Sequence, residues 1–261
     1  MAERRLWNRE ELILAFNLYC KIPFSKTVKS NPKIIELANL IGRTPSSVAM
    51  KLGNFARFDP ELKKRNISGL TQGSKMDEVV WNEFVNDNEN LISESELLLY
   101  KLTNPTDALI QDVEQEFEEL TGYVMREGKE KERMIKTRLG QNFFRTSVLA
   151  SYDNKCCITG IDVPPLLTAS HIVPWSQDLK NSLNPQNGLC LNSLHDKAFD
   201  RGLITITPEY KVLISDTLRK NSTDLIQDLF VKFDNTPITL PDKFVPHSDF
   251  LKYHNEVIFS N

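Results

Sequence analysis

The stretch Ala169-Ser170-His171-Ile172-Val173-Pro174, continued by Asn187-Gly188-Leu189 and by Leu194-His195-Asp196-Lys197-Ala198-Phe199-Asp200, decides the fold of the C-terminal half. A His, an Asn and a His/Asp cluster follow one another in that order. Their spacing suits a two-stranded hairpin that runs into a short helix. Asp196 and Asp200 stand four residues apart, so on a helix they project from one face and can share one metal ion. His171 can serve as a base. Asn187, at the start of the second strand, can hydrogen-bond back across the hairpin and hold the loop that carries His171. A base that activates water and a cation that stabilises a leaving oxygen are what phosphodiester hydrolysis requires. Singly, each residue has a plain structural explanation: a strand-end His, an Asn-Gly turn, a core Phe199, a helix ending in Asp200-Arg201-Gly202 with Gly at the C-terminal cap. Their shared order and spacing single them out.

Taken with Gln141, Phe144-Arg145, Cys157-Ile158-Thr159-Gly160, Arg201-Gly202 and a late Leu251, His254 and Phe259, this pattern resembles the HNH (ββα-metal) endonuclease family, in the version found in bacterial restriction endonucleases. The resemblance spans residues 138 to 260. It implies an α+β protein whose ββα-metal nuclease domain occupies residues 137–261. It assigns His171 as general base, Asn187 as the residue that orients it, and Asp196 and Asp200 as ligands of one divalent cation. Oxygen ligands favour Mg²⁺ or Mn²⁺ over softer metals. The implied reaction is metal-dependent cleavage of double-stranded DNA, of the restriction or phage-defence kind, leaving 5′-phosphate and 3′-hydroxyl ends.

The chain departs from the family pattern twice. Many members carry a His or Asp directly before the base as a further metal ligand; here that position is Ser170, and His195 is the residue available to take it up. Many members also staple the fold with two Cys-x-x-Cys pairs around zinc. Here Cys157 is followed at that spacing by Gly160, and Cys190 stands alone, so no structural zinc is expected. Ser170 supports an alternative from another class, a DNA-binding or interaction protein that keeps a degenerate, inactive HNH fold. Within the enzymes, a nicking or modification-dependent nuclease is the competitor.

The rest of the composition is that of a globular chain: 261 residues, 40% apolar and 26% charged, long enough for one large or two modest domains. No apolar run approaches the length of a membrane span. Met1-Ala2-Glu3-Arg4-Arg5-Leu6-Trp7 carries no apolar signal core. Four Cys, two of them adjacent, make no disulfide framework, so a reduced, cytoplasmic protein is expected. The net charge of −3 argues against a polyanion partner, but its distribution reverses that reading. Residues 107 to 119 hold acids and no base. Residues 126 to 145 hold Arg126, Lys129, Lys131, Arg133, Lys136, Arg138 and Arg145 against three Glu. Lys136, Arg138 and Arg145 are candidate phosphate contacts.

Residues 1–103 read as helical. Asn8 caps a first helix whose apolar stripe is Leu12, Leu14, Ala15, Leu18 and Tyr19. Pro32 opens a second, with Ile34, Ile35, Leu37, Ala38 and Ile41 apolar and Gly42 at its end. Thr44 and Pro45 start a third, with Val48, Ala49, Leu52 and Phe55 facing the core. A helix, a Gly turn and a helix opening on Thr-Pro-Ser-Ser form a helix-turn-helix pattern. It predicts Arg43, Ser46, Ser47, Lys51, Asn54 and Arg57 on an outward, DNA-reading face. The stretch from Gly42 to Phe55 also resembles the N-terminal domain that accompanies HNH domains in these restriction proteins. Residues 65 to 74 read as a loop, 77 to 84 as a helix, and Ser93-Glu94-Ser95-Glu96 as the start of another. A helix over residues 106 to 121 and a basic segment would link the halves within residues 104–136. Symmetric double-strand cleavage by a site that cuts one strand predicts a homodimer. No small-molecule cofactor and no membrane partner are expected.

Overall fold

The computed structural model describes residues 5–67, 73–85, 87–103, 129–221 and 223–260, without the side chains of 101 and 129–136. The expected linker helix over 106–121 and the side chain of Lys136 lie outside the described residues. The chain divides into two units, Met1–Phe143 and Phe144–Asn261. Among the described residues no helix is long and apolar enough to cross a membrane.

The first unit is helical: α1 (Arg9–Lys21), α2 (Pro32–Leu40), α3 (Pro45–Ala56), α4 (Pro60–Lys64), α5 (Lys75–Phe84) and α6 (Asn88–Thr103). Three of these helices start at a capping residue followed by proline: Asn31-Pro32, Thr44-Pro45 and Asp59-Pro60. The cap side chain accepts a free amide of the first turn, and proline has none to leave unpaired. α1 is the centre of the unit. The reading of one apolar stripe understates it, because every side chain from Glu11 to Cys20 is buried. Phe16 packs on Phe55 and Trp81 at ring separations of 5.1 and 5.3 Å. The buried Asn17 donates to Ser95 Oγ at 2.6 Å and to Glu96 Oε1 at 2.7 Å.

α6 begins five residues before the expected start, at Asn88, with Asp87 Oδ1 accepting the amide of Asn90 at 3.1 Å. Ser95 is therefore interior to the helix, and its hydroxyl bonds back to the carbonyl of Leu91. Such back-bonding is the other way a serine meets a helix, besides capping it. Ile35, expected among the apolar positions of α2, is exposed.

Two capping boxes organise this unit. Asn8 and Glu11 close α1, and Ser74 and Asp77 close α5. Both carboxylates are buried and each holds a cation. Glu11 pairs with Arg43 at 2.7 Å, and Asp77 pairs with Lys51 at 2.7 Å.

The second unit starts within α7 (Lys129–Ser151), whose Phe144, Val148 and Leu149 enter its core. β1 (Leu167–His171) and β2 (Gly188–Asn192) pair antiparallel, with Ala169 opposite Cys190 and His171 opposite Gly188. α8 (Ser193–Asp200) follows without a break, capped by Asn192, whose Oδ1 accepts the amides of Leu194 and His195 at 3.0 Å. β2 is buried along its whole length, which explains its unbroken apolar run Leu189-Cys190-Leu191. A second hairpin follows, β3 (Ile204–Ile206) with β4 (Val212–Ile214), closed by Thr207 N donating to Lys211 O at 2.8 Å. α9 (Asp216–Lys220), α10 (Asp224–Leu229), α11 (Ser248–Tyr253) and a π-turn, His254–Ile258, complete the unit.

Two measurements check these assignments. Asp77 holds Lys51 out of water, and losing one partner strands the other's charge. Asp77→Ala is therefore expected to cost about 3–5 kcal/mol in denaturant unfolding of the full chain. The apolar pair Lys51→Met with Asp77→Leu should recover the part due to the stranded charge, the lost α5 cap and the unpaired Asn54 accounting for the remainder; a loss below about 1 kcal/mol for Asp77→Ala would show that the pair is not desolvated. The second concerns His254, 1% exposed, whose pKa burial holds down at about 4 despite the Phe199 carbonyl. The unfolded chain then takes up a proton near pH 6.5 that the folded chain refuses until about pH 4. Stability should fall as pH drops through that window, by on the order of 3 kcal/mol. His254→Gln should flatten the slope of stability against pH there.

Candidate active site

His171 ends β1, and a sixteen-residue connection, 172–187, separates it from β2. The side chain of Asn187 closes that connection. It is wholly buried; its Oδ1 accepts the amide of Val173 at 2.8 Å, and its Nδ2 donates to the carbonyls of Val173 at 3.1 Å and Asn181 at 3.3 Å. Gly188 comes next because nothing larger fits. A Cβ there would lie 2.4 Å from Val148 and 2.9 Å from Phe144. Its φ of −130° is that of a strand, so this Asn-Gly is a close approach and not a turn.

The ring of His171 is fixed on three sides. It stacks on Phe144 with centroids 4.0 Å apart and planes 7° from parallel, and Trp175 meets it edge-on at 5.8 Å. Nε2 lies 2.8 Å from the carbonyl of Ser182. A carbonyl only accepts, so Nε2 carries the proton and Nδ1 is left as the ring's proton-accepting atom. Asn187 makes no bond to His171. Its bond to the Asn181 carbonyl holds the chain one residue before Ser182, and so reaches the His171 ring through the backbone.

Asp196 and Asp200 share a face of α8. Burial raises both carboxyl pKa values above the ordinary 3.8, and Asp200 raises Asp196 further. Lys197 offsets both shifts, Ser170 offsets that of Asp196, and His171 and Arg201 offset that of Asp200. Burial lowers His171 below 6.5, with the Ser182 carbonyl and Asp200 acting in the opposite sense. Asp200 is therefore the group that interacts electrostatically with both His171 and Asp196. Ser170 is 2% exposed, and its hydroxyl faces Asp196 without closing a hydrogen bond.

His195 does not join this group. Its ring is buried between Phe230 and Phe233, with Nε2 2.7 Å from the carbonyl of Leu229. Its Nδ1 faces Cys156, where Asn192 Nδ2 also donates, to Cys156 Sγ at 3.5 Å and Thr159 Oγ1 at 3.3 Å. One step from Asp196 on a helix turns a side chain by about 100°, into the core instead of toward the open face. The pairs at Cys-x-x spacing that meet in space are thus Cys156 with Thr159 and Asn192 with His195.

The outward face expected of α3 is largely turned inward. Arg43 lies over the Trp7 ring at 4.2 Å and pairs with Glu11. Lys51 and Asn54 are buried on Asp77, with Asn54 Nδ2 3.2 Å from its carboxylate. The cause is the N-terminus of α5, whose buried capping carboxylate needs these donors. Arg57 lies over the ring of Phe58 at 4.3 Å. Ser46 is exposed and Ser47 half-buried. On α7, Arg138 and Arg145 are exposed, and Arg145 also donates to the carbonyl of Leu167 at 2.8 Å. Phe144, Ser182 and Lys197 had no assigned place in the site. Phe144 and Lys197 were legible as neighbours of motif residues, whereas Ser182 acts through its backbone and leaves no mark in the sequence.

Among the described residues no group of three or more His, Cys, Asp and Glu side chains is gathered to hold a metal ion. Two adjacent carboxylates whose pKa values burial has raised do fit a hard divalent cation. Mg²⁺ is commonly held by one or two carboxylates with water and substrate phosphate completing its shell. No curated protein matches the chain. Residues 156–207, which hold β1, His171, Asn187, β2 and α8, match the family model described as HNH endonuclease; the match points to nuclease activity on DNA, of a kind that generally uses a divalent metal.

Proposed function

We propose that the chain is a metal-dependent endonuclease of double-stranded DNA, with His171 as general base. The observation that carries this is the fixed ring of His171, proton on Nε2 and lone pair on Nδ1, beside two carboxylates on one face of α8. Nδ1 takes a proton from water as that water attacks phosphorus in line. The bond from phosphorus to the 3′ oxygen breaks, leaving a 5′-phosphate and a 3′-hydroxyl that takes its proton from solvent. Asp196 and Asp200 would hold the cation, which supplies positive charge against the leaving oxygen when bound. Asn187 keeps the loop and so the base in place. Phe144 and Trp175 restrict the ring to one orientation, which is the geometric part of general-base catalysis.

The proposal extends to a restriction or phage-defence setting in the reduced cell interior and to a two-fold dimer, since a site that cuts one strand must be present twice for a double-strand cut. Arg138 and Arg145 suit phosphate contacts. Sequence reading by α3 would rest on Ser46 and Ser47, because Arg43, Lys51 and Asn54 are engaged within the helical unit.

One assay tests the reaction: cleavage of plasmid and phage DNA, modified and unmodified, in Mg²⁺ or Mn²⁺ and in chelator. His171→Ala is expected to lose about 10²–10⁴ in rate while keeping its fold. Asp196→Ala and Asp200→Ala should each weaken metal dependence and activity. Undiminished cutting in excess chelator, or wild-type rates from His171→Ala, would remove the mechanism. Ser170, a poor ligand beside the base, favours a second reading: a DNA-binding protein that keeps the fold without the reaction. Binding without cleavage under every metal condition would establish it.

A further inference from the structure

The family match ends at residue 207, yet the helix that carries Asp196 and Asp200 is finished by residues some fifty positions later. α8 ends in a Schellman arrangement: Leu203 N donates to Ala198 O and Gly202 N to Phe199 O, each at 2.9 Å, with Gly202 at φ +65°. The C-terminal segment closes over this end. Ser260 N donates to Gly202 O at 3.0 Å, and a Cβ on Gly202 would meet the Ile258 carbonyl at 2.1 Å.

His254 lies beneath. Its ring stacks on Phe199 at 3.6 Å, with planes 14° from parallel. Its Nε2 lies 3.2 Å from the carbonyl of Phe199, which fixes the proton on Nε2 and leaves Nδ1 to accept from Thr205 Oγ1 at 2.8 Å. Asn255 in turn donates to Thr205 Oγ1 at 3.0 Å, to Ile206 O at 2.7 Å and to Leu251 O at 2.7 Å. The Phe199 carbonyl belongs to the peptide group whose nitrogen is that of Asp200. His254 therefore holds the peptide plane from which the Asp200 side chain departs. The backbone that supplies this contact is a π-turn, His254–Ile258, a local departure from α geometry that is uncommon and often marks functional sites.

We propose that the chain Asn255–Thr205–His254 is a positioning device for the candidate metal site, which sets the direction of Asp200 by gripping the Phe199–Asp200 peptide. It rests on the nuclease reading for its purpose, and on the hydrogen bonds alone for its mechanics. Residues that orient a metal ligand from behind commonly change metal affinity or activity by about 10- to 100-fold when replaced.

The test uses the full chain and the hydroxyl of Thr205, because Thr205→Val keeps the β-branched shape while removing the donor to His254 Nδ1. Mn²⁺ affinity is measured by calorimetry, fold by circular dichroism, and local opening by amide hydrogen exchange. Thr205→Val is expected to retain the fold, bind Mn²⁺ about 10-fold more weakly and exchange faster at residues 199–203 than at β1 and β2; Thr205→Ser should restore both. Wild-type exchange at residues 199–203 in Thr205→Val overturns the positioning device. Faster exchange there with unchanged Mn²⁺ affinity also overturns it, because the grip would then not reach the ligand. Where the wild-type chain binds no Mn²⁺, the metal reading of Asp196 and Asp200 fails instead, and the exchange result still decides whether the grip exists.

Discussion

The second unit depends on one buried amide. Asn187 satisfies both hydrogen-bonding groups of Val173 and the carbonyl of Asn181, and so converts a sixteen-residue connection into a rigid loop. A buried amide with its partners in place is stabilising, and the same amide without them is costly, so the loop has one good conformation. The Ser182 carbonyl is fixed as a consequence, and through it the tautomer of His171. Gly188, directly behind Asn187, lets Phe144 and Val148 approach the strand, and Phe144 is also the surface on which His171 stacks. The ring of His171 is therefore positioned by backbone and packing, with no acidic partner bonded to it among the described residues.

The two units treat buried charge differently, and that contrast separates structure from chemistry. In the helical unit Glu11 meets Arg43 and Asp77 meets Lys51 at 2.7 Å, so each charge is neutralised where it lies. In the second unit neither Asp196 nor Asp200 closes an ion pair among the described residues, and burial works against the ionised form of both. His171 is likewise held against protonation. A site that is costly to keep charged, and whose nearby cations close no ion pair with it, gains most from an added cation. That argument applies to Asp196 and Asp200 and not to Glu11 or Asp77, whose charges are already paired.

The fold was legible where a local signal acts alone. Pro32 marked the start of α2 and the pair Thr44-Pro45 that of α3, and the offset of Asp196 from Asp200 placed both on one helical face. The reading failed where a side chain's partner comes from elsewhere in the chain. Ser93 and Ser95 have the composition of a cap, but Asn17 of α1 meets Ser95 in the helix interior. Lys51 and Asn54 have the chemistry of a base-reading face, but the capping carboxylate of α5 takes both. Asp59-Pro60 begins a helix that the sequence reading passed over, because Asp59 both caps it and accepts from the hydroxyl of Tyr19 at 2.7 Å. His195 could be weighed from spacing alone as too far round the helix, yet its contact with Cys156 needed the turn 156–161 to be seen in space.

The extent of the matched segment and the extent of the working unit differ for a physical reason. A helix of eight residues, Ser193–Asp200, has too few internal bonds to be stable by itself, so its geometry is set by what holds its ends. Asn192 and the Cys156–Thr159 turn hold the first end, within the segment. Gly202 and Thr205, within it, and His254 and Ser260, outside it, hold the second. Asp196 lies near the first anchor and Asp200 at the second. The separation of the two carboxylates is thus an outcome of two anchorages far apart in sequence, and a ββα unit cut after β3 would keep both aspartates while losing what fixes the distance between them.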